Sequence, residues 1–225
     1  AFRRQSLNPY RRDAEFRTYI GVLLVVSVIT IAYLQLNHTF TSTSESIVEG
    51  LFHVVSIGTT TGFTTSEYYS WPGFLPVLLL YVSFIGGCSG STGGGIKVIR
   101  ILLLVKQGAR ELKRLVHPNA QITVKIGGKP LPENVIEAVW GFFAAYFAIS
   151  ALMILLLMAT GLDQETAFSA VAACLNNLGP GLGQVGQNYA SISDLAKWIL
   201  AFAMLLGRLE IFTLLVLLTP AFWRK

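Results

Sequence analysis

Two segments of the sequence share one plan at a constant spacing, and this repeat limits the possible folds more than any other feature. Residues 46–63 and 163–180 each begin with a helix-capping residue, continue through a short semi-apolar stretch and end in a polar turn around a glycine. The capping residues Ser46 and Asp163 lie 117 residues apart, and so do Gly62 and Gly179. Self-similarity at a fixed offset indicates an internal repeat.

Long apolar runs flank both segments. Hydrophobic residues make up 53% of the 225 residues and charged residues only 13%, which is more apolar than a soluble domain. A helix needs roughly 20 apolar residues to cross the hydrocarbon core of a bilayer. The stretches that reach this length are residues 18–36, 71–105, 135–160 and 194–222. Residues 46–57 and 163–175 are too short to cross, so we interpret them as re-entrant pore helices.

The sequence therefore predicts an all-α membrane protein made of two parallel repeats. Each repeat contains a transmembrane helix, a re-entrant pore helix with a filter loop, and a second transmembrane helix. The first repeat covers residues 18–105 and the second covers residues 135–225, with a basic segment at 1–17 and a connection at 106–134. Parallel repeats are related by an axis along the membrane normal.

The repeat number predicts half of a pore. Filters that strip an ion of its water take backbone carbonyls typically from four loops, and this chain has two. An N-terminal half of the pore or a second copy of the chain, as in a homodimer, would supply the others.

The positions of the basic residues predict the orientation. Of the 17 Lys and Arg residues, all but Lys197 and Arg208 lie before the first span, near the middle connection or at the end. The positive-inside rule places those regions, and therefore both termini, in the cytoplasm. The outer side carries Glu45, Glu49, Glu67, Asp163, Glu165 and Asp194. The net charge of +5 thus reflects topology, and nucleic acid is not an expected partner.

The two polar turns have the chemistry of a cation filter. Ser46 with Glu49 has the spacing of a capping box, and Asp163 takes the same place in the second repeat. The negative ends of both short helices would then face the ion path. Glycine can turn successive carbonyls inward because it tolerates positive φ. The predicted filter residues are Thr60, Thr61, Gly62 and Phe63 with Asn177, Leu178, Gly179 and Pro180, and K⁺ is expected at the first three of each set.

A run of glycines interrupts the second span. Each glycine costs a helix about 1 kcal/mol relative to alanine, so a break is predicted between Gly86 and Gly95. Non-helical backbone at membrane depth lines a cavity or is buried in protein, which favours a movable gate beneath the filter. Close helix packing through small residues is the alternative. The predicted gate residues are Gly86, Gly87, Gly90, Ser91, Gly93, Gly94, Gly95 and Arg208.

Arg208 joins this set because charge within a span is rare and usually functional. It lies 117 residues after Ser91, so the repeat places the two at the same depth. Glu210 cannot be its partner on the same helix face, since residues two apart do not face each other. We therefore expect Arg208 to bind carbonyls of the glycine loop. A structural hydrogen bond at a helix interface is the alternative.

Three motifs together resemble the Trk/Ktr/HKT potassium transporter family, and most closely the bacterial Trk-type pore subunits. The motifs are Gly58 to Thr65, Gly86 to Lys97 and Asn176 to Gly181. Nearly the whole chain resembles the third and fourth of that family's four helix, pore-loop, helix units. The resemblance implies uptake of monovalent cations across the bacterial inner membrane, one filter glycine per unit and a cytoplasmic nucleotide-binding regulatory ring. The fourth loop departs from the Thr-Thr-Gly-Phe form of the third.

Two other functions stay open at this point. The chain could be a non-conducting membrane scaffold that binds a regulator through residues 106–129. The motif from Gly87 to Gly90 also resembles the nucleophile region of intramembrane serine proteases, but such chemistry needs a histidine base. The three histidines fall at an interface, in a pore helix and in the connection, so an enzyme is not expected. No cofactor other than the transported K⁺ is predicted.

Overall fold

The computed structural model describes residues 13–120, 122–209 and 211–223. Most of the predicted basic segment, together with Glu210, Arg224 and Lys225, lies outside the described residues. The first repeat contains α1 (Ala14–Leu36), α2 (Thr43–Gly58), a 3-10 turn (Tyr68–Ser70), α3 (Leu75–Ile85) and α4 (Val98–Val116). The second contains α5 (Glu133–Ala159), α6 (Gln164–Leu175), a 3-10 turn (Gly183–Val185), α7 (Asp194–Arg208), α8 (Ile211–Leu218) and α9 (Pro220–Trp223).

The predicted all-α class is confirmed, with one small addition in the connection. Strands β1 (Lys125–Ile126) and β2 (Lys129–Pro130) form an antiparallel ribbon in which Lys125 pairs with Pro130. The helices α1 and α5 are each long and apolar enough to cross a bilayer. They begin the two repeats, at the positions where the sequence predicts the first crossing of each.

The second crossing of each repeat is broken. The break between α3 and α4 spans the predicted glycine run. The break between α7 and α8 was not predicted, because the sequence predicts one continuous span over residues 194–222. It follows Arg208 directly, and Leu209 lies 117 residues after Thr92. Both repeats therefore interrupt their second crossing at the same depth.

Several predicted boundaries are wrong. Ser46 does not cap the first pore helix, because α2 begins one turn earlier and Ser42 Oγ accepts the backbone N–H of Ser44. Ser46 is instead buried within the helix. Trp71 precedes α3 and packs in the core, so the second crossing begins four residues later than predicted. Helix α4 runs to Val116, so it continues into the predicted connection, which begins at residue 106.

The predicted cap of the second pore helix is confirmed. The Asp163 carboxylate accepts the backbone N–H of Thr166 at 3.0 Å. This hydrogen bond lowers the pKa of Asp163 below its usual value. Because the actual caps are Ser42 and Asp163, the offset of 117 holds for the filter glycines and not for the outer ends of the pore helices.

The two pore helices differ in burial. Nearly all of α6 from Thr166 to Leu175 is buried, and its side chains contribute to the cores of both repeats. Helix α2 exposes an apolar face that includes Val48 at 61% and Leu51 at 45%. The second pore helix is therefore enclosed between the repeats, whereas one side of the first is open.

Candidate functional site: two filter loops above a glycine loop

The two loops predicted to form the filter have positive φ values at equivalent positions. Thr60 and Asn177 adopt positive φ values of 55° and 52°, although neither is glycine. Two residues further on, Gly62 and Gly179 have φ values of 81° and 103°. Both pairs are 117 residues apart. The left-handed conformation is unfavourable for side chains, which explains the glycine that the sequence places in each turn.

Backbone hydrogen bonds repeat at the same offset. The N–H of Thr61 donates to Ser56 O at 2.8 Å, and the N–H of Leu178 donates to Ala173 O at 2.8 Å. The N–H of Thr60 likewise donates to Ile57 O, and that of Asn177 to Cys174 O. Each loop therefore leaves its pore helix through the same turn. The second loop is as regular as the first, despite its different sequence.

The loops lie directly beside each other. A Cβ atom added to Gly62 would lie 1.9 Å from Leu178 O and 3.3 Å from Pro180 Cδ. No side chain fits there, so Gly62 is required both by its φ value and by the neighbouring loop. Among the described residues of this chain, Gly179 has open space around the same position, so within this chain only its φ value requires glycine.

Different side chains support the two loops. In the first, Ser56 Oγ donates to Phe63 O at 2.6 Å, and the hydroxyls of Thr59 and Thr61 lie 2.7 Å apart. In the second, the Tyr189 hydroxyl donates to Gly179 O at 2.7 Å. The Gly179 carbonyl, one of the predicted K⁺ ligands, is thereby held by a side chain and keeps its second lone pair.

A buried polar chain supports the base of the second loop. The Tyr146 hydroxyl donates to Asn176 Oδ1 at 2.8 Å, and Asn176 Nδ2 donates to Ser83 Oγ at 2.9 Å. Ser83 Oγ in turn donates to Leu80 O. These hydrogen bonds run from α5 through the start of the second loop to α3, and they connect the two repeats immediately before Asn177.

An open cavity of about 590 Å³ lies on the outer side of the filter, with Gly62, Gly179 and Glu67 in its wall. The Glu67 carboxylate accepts a hydrogen bond from Gln187 Nε2 at 2.8 Å, which links the outer segments of the two repeats. An acidic group at this mouth attracts cations, as the charge pattern predicts.

The glycine loop lies against the inner side of the filter. The N–H of Gly94 donates to Thr60 Oγ1 at 3.0 Å. A Cβ atom on Gly94 would lie 1.7 Å from Asn176 O, so the loop backbone touches the second filter loop as well. Ile96 N–H donates to Phe84 O at 2.8 Å and closes the base of the loop. Near the tip, a Cβ atom added to Gly90 would have open space around it within the described part of the chain.

Three charged side chains hold the loop from different directions. Arg208 Nη1 donates to Thr92 O at 2.6 Å, which confirms that its partner is a carbonyl of this loop. Lys97 Nζ donates to the carbonyls of Ser91 and Gly93. The Glu15 carboxylate accepts the N–H of Ser89 at 2.6 Å. These contacts border a cavity of about 220 Å³ beneath the filter.

Lys97, Glu15, Tyr146 and Tyr189 are site residues that sequence reasoning missed. The charge pattern uses Lys97 only to predict the orientation, although this residue lies two positions after the glycine run and its charge at that depth is a signal. Glu15 and the two tyrosines reach the site from distant parts of the chain, so no local pattern marks them.

The geometry argues against the protease alternative. Ser89 presents its backbone N–H to Glu15. His53 is fully buried in the first pore helix, where it packs on Tyr68 and Trp71. Among the described residues, no group of three or more His, Cys, Asp or Glu could hold a metal ion.

Comparison with known proteins gives one consistent result. Residues 6–225 match the family model "TrkH: Cation transport protein". The chain is 56% identical to the Trk system potassium uptake protein TrkH of Vibrio parahaemolyticus, covering 100% of this chain and 47% of that protein. It is 57% identical to TrkH of Escherichia coli K12, covering 98% of this chain and 46% of that protein.

A solved structure agrees. The crystal structure of the potassium transporter TrkH from Vibrio parahaemolyticus superimposes with a TM-score of 0.90 at 58% identity, covering 96% of this chain and 46% of that one. The chain thus spans about half the length of the relatives it matches. These relatives are named potassium uptake proteins, and the matching family model is described as a cation transport protein.

Proposed function

Because the chain belongs to the TrkH family of cation transport proteins, we propose that it forms half of a gated potassium pore in the bacterial inner membrane. The observation that carries this proposal is the pair of filter loops, which have similar backbone geometry at equivalent positions and lie side by side. Their carbonyls suit a dehydrated monovalent cation. The relatives of the chain are named potassium uptake proteins, which favours K⁺ as the transported ion.

The open side of the first pore helix supports a pore completed by other units. In a ring, each pore helix is covered by its neighbours, as α6 is covered by the first repeat. The exposed face of α2 includes Ile47, Val48, Leu51 and Val55, all more than 40% exposed. An apolar face of this kind fits an N-terminal half or a second copy.

The glycine loop is the proposed gate. It contacts both filter loops from below, so it would obstruct an ion leaving the filter. Arg208 and Lys97 hold its carbonyls, and their positive charges also raise the barrier to a cation. Opening would require these hydrogen bonds to break while the loop moves away from Thr60.

The cytoplasmic side is proposed to receive a regulator. The basic residues of α4 and of the connection support a cytoplasmic location for this side by the positive-inside rule. The relatives are parts of a Trk system, and the family resemblance implies a nucleotide-binding ring as the partner. Residues 106–134 form the surface that such a ring would contact.

Ion flux into reconstituted vesicles tests the proposal. We expect the full protein to take up Rb⁺ or K⁺ in preference to Na⁺, and Gly62→Ser to reduce this preference. Gly21→Ser is a matched control, because Gly21 lies in α1 with open space around it. A well-folded protein that carries no cation in these vesicles would favour the scaffold function. A Gly62→Ser protein with unchanged preference would contradict the filter assignment.

A further inference from the structure

A cavity between the two repeats has no role in the proposed ion path. It has a volume of about 350 Å³ and lies among α3, α5 and α6. This volume falls within the range of about 300–1,000 Å³ that is usual for small-molecule sites. Both repeats of this chain supply its walls, so no other chain is needed to form it.

Aromatic rings form a continuous wall around the cavity. Tyr81 lies 6.3 Å from Phe168 and 6.0 Å from Phe84, measured between ring centroids. Phe84 lies 6.2 Å from Tyr146, which lies 6.1 Å from Phe147. Tyr81 and Phe147 are 57% and 62% exposed. These two residues mark an opening on the side of the molecule, between helices that lie in the bilayer.

Water does not suit this cavity. A buried water needs two to four polar partners, and the inward polar groups already have theirs. The Tyr146 hydroxyl donates to Asn176, and Ser150 Oγ donates to Tyr146 O at 2.7 Å. Tyr81, the other polar lining residue, is largely exposed at the opening, and the remaining lining residues are apolar. The occupant must therefore be apolar. The opening lies beside α5, which is long and apolar enough to cross a bilayer, and acyl chains are the apolar groups available there.

We propose that a lipid acyl chain occupies this cavity. The ring of Tyr146 lines both this cavity and the smaller one beneath the filter, and its hydroxyl holds Asn176 next to the second filter loop. An acyl chain bound in this cavity contacts Tyr146, which supports the second filter loop. That consequence rests on the proposed function, whereas the binding site itself does not.

Photolabelling of the full protein tests the site. The protein is reconstituted in vesicles that contain a small fraction of phosphatidylcholine with a diazirine in the middle of one acyl chain, and labelled peptides are mapped by mass spectrometry. We expect labelling of Tyr81, Phe147 and Phe168 to exceed that of the exposed α1 face at Leu24 and Val28 by at least about fivefold. In this chain Leu24 and Val28 are 59% and 66% exposed, at least as much as Tyr81 at 57%.

Two variants of α5 separate the cavity from the general lipid surface. Ala151→Phe places a ring in the cavity and should return the labelling to the level of the α1 face. Ala148→Phe is the matched control, because Ala148 is exposed on the same helix and does not line the cavity. It should leave the labelling within about twofold of the parent. If Ala151→Phe does not fold, Ala151→Leu should reduce labelling at least twofold.

Uniform labelling of all exposed helices would overturn the proposal, and so would enriched labelling that persists in a folded Ala151 variant. Rb⁺ uptake is measured in the same vesicles. A parent protein that labels as expected but carries no Rb⁺ would contradict the proposed pore and leave the lipid site standing.

Discussion

The two filter loops share backbone geometry at equivalent positions, but different side chains support them. The turns at Thr60 and Asn177, the glycines that follow and the hydrogen bonds to the pore helices coincide at an offset of 117 residues. The side chains around them do not. The first loop is held by its own neighbours, such as Ser56, and the second by Tyr189 and Tyr146 from other elements. The repeat preserves backbone geometry, as expected if the backbone carbonyls bind the ion in the proposed pore.

The second crossings of the two repeats also share a backbone feature and differ in their side chains. Both break at equivalent positions, but the first repeat inserts a long glycine loop there and the second places Arg208 beside a short break. The Arg208 side chain then binds the loop of the other repeat. Equivalent positions have thus taken complementary roles, with one repeat supplying the proposed gate and the other a residue that holds it.

The largest expected difference between the loops is their tolerance of a methyl group at the filter glycine. A non-glycine residue in the left-handed region costs roughly 1–2 kcal/mol, and both Gly62→Ala and Gly179→Ala incur this cost. Within the described part of this chain, only Gly62→Ala also collides with the neighbouring loop, at Leu178 O. We expect Gly62→Ala to reduce the K⁺ over Na⁺ permeability ratio by at least about tenfold and Gly179→Ala to reduce it by a smaller factor.

Ion competition in vesicles measures both ratios, with Gly21→Ala as the control for a glycine in open space. Equal losses at the two filter positions would show that the contact between the loops does not matter. A larger loss at Gly179 would reverse the comparison.

The second prediction concerns the complementary roles of the two breaks. Arg208→Ala removes a charged hydrogen bond to Thr92, and such bonds contribute about 1.5–3 kcal/mol. A closed-to-open equilibrium should shift by roughly one to two decades toward open. We expect higher Rb⁺ flux in the absence of the regulator, and a weaker response to it.

Lys197→Ala controls for the loss of a positive charge, because Lys197 pairs with Asp194 far along α7 from Arg208. A folded Arg208→Ala protein with the parent's flux would make Arg208 structural rather than part of the gate.

Much of this arrangement was predictable from sequence because it depends on the backbone. The offset of Gly62 and Gly179, the break after Gly86 and the contact of Arg208 with the glycine loop all follow from positions along the chain. The break after Arg208 was not predicted, because it follows a single glycine, Gly207, and no proline or run of glycines marks it. The outer end of α2 was misplaced since Ser42, Ser44 and Ser46 are all competent caps.

Side-chain supports escaped prediction for a different reason. Tyr146 lies 30 residues before Asn176, and Glu15 lies 74 residues before Ser89. Such pairs form only after the helices pack. The repeat offers no guide to them, because the equivalent positions in the other unit carry unrelated residues.

The third prediction compares one support from each loop. Tyr146→Phe leaves the buried Asn176 Oδ1 without its donor, and an unsatisfied buried group costs about 1–3 kcal/mol. Ser56→Ala removes the donor to Phe63 O, which lies in a largely exposed segment where water can replace it. We expect Tyr146→Phe to lower the melting temperature in detergent by several degrees and to weaken K⁺ selectivity, and Ser56→Ala to have the smaller effect on both.

Fluorescence-detected melting and the vesicle competition assay report the two effects. Ser150→Ala is a control for α5, since it removes a hydroxyl one turn from Tyr146 and leaves the filter contact intact. A Ser56→Ala protein that is less stable than Tyr146→Phe would show that local supports outweigh those between the repeats.

The smallest expected effect is a difference in pH dependence between the caps of the two pore helices. Ser42 caps α2 with a hydroxyl and Asp163 caps α6 with a carboxylate. The N–H of Thr166 lowers the pKa of Asp163, so the charged form stabilises the folded state above the unfolded pKa of about 3.9. That stabilisation is lost as the pH falls through the folded pKa. Ser42→Ala should lower the melting temperature by about 2–4 °C at every pH. The deficit of Asp163→Ala should instead be constant from pH 5 to 7 and shrink below about pH 4. A loss of melting temperature in Asp163→Ala that is equally large at pH 3.5 and pH 6 would show that the Asp163 side chain stabilises α6 independently of its charge.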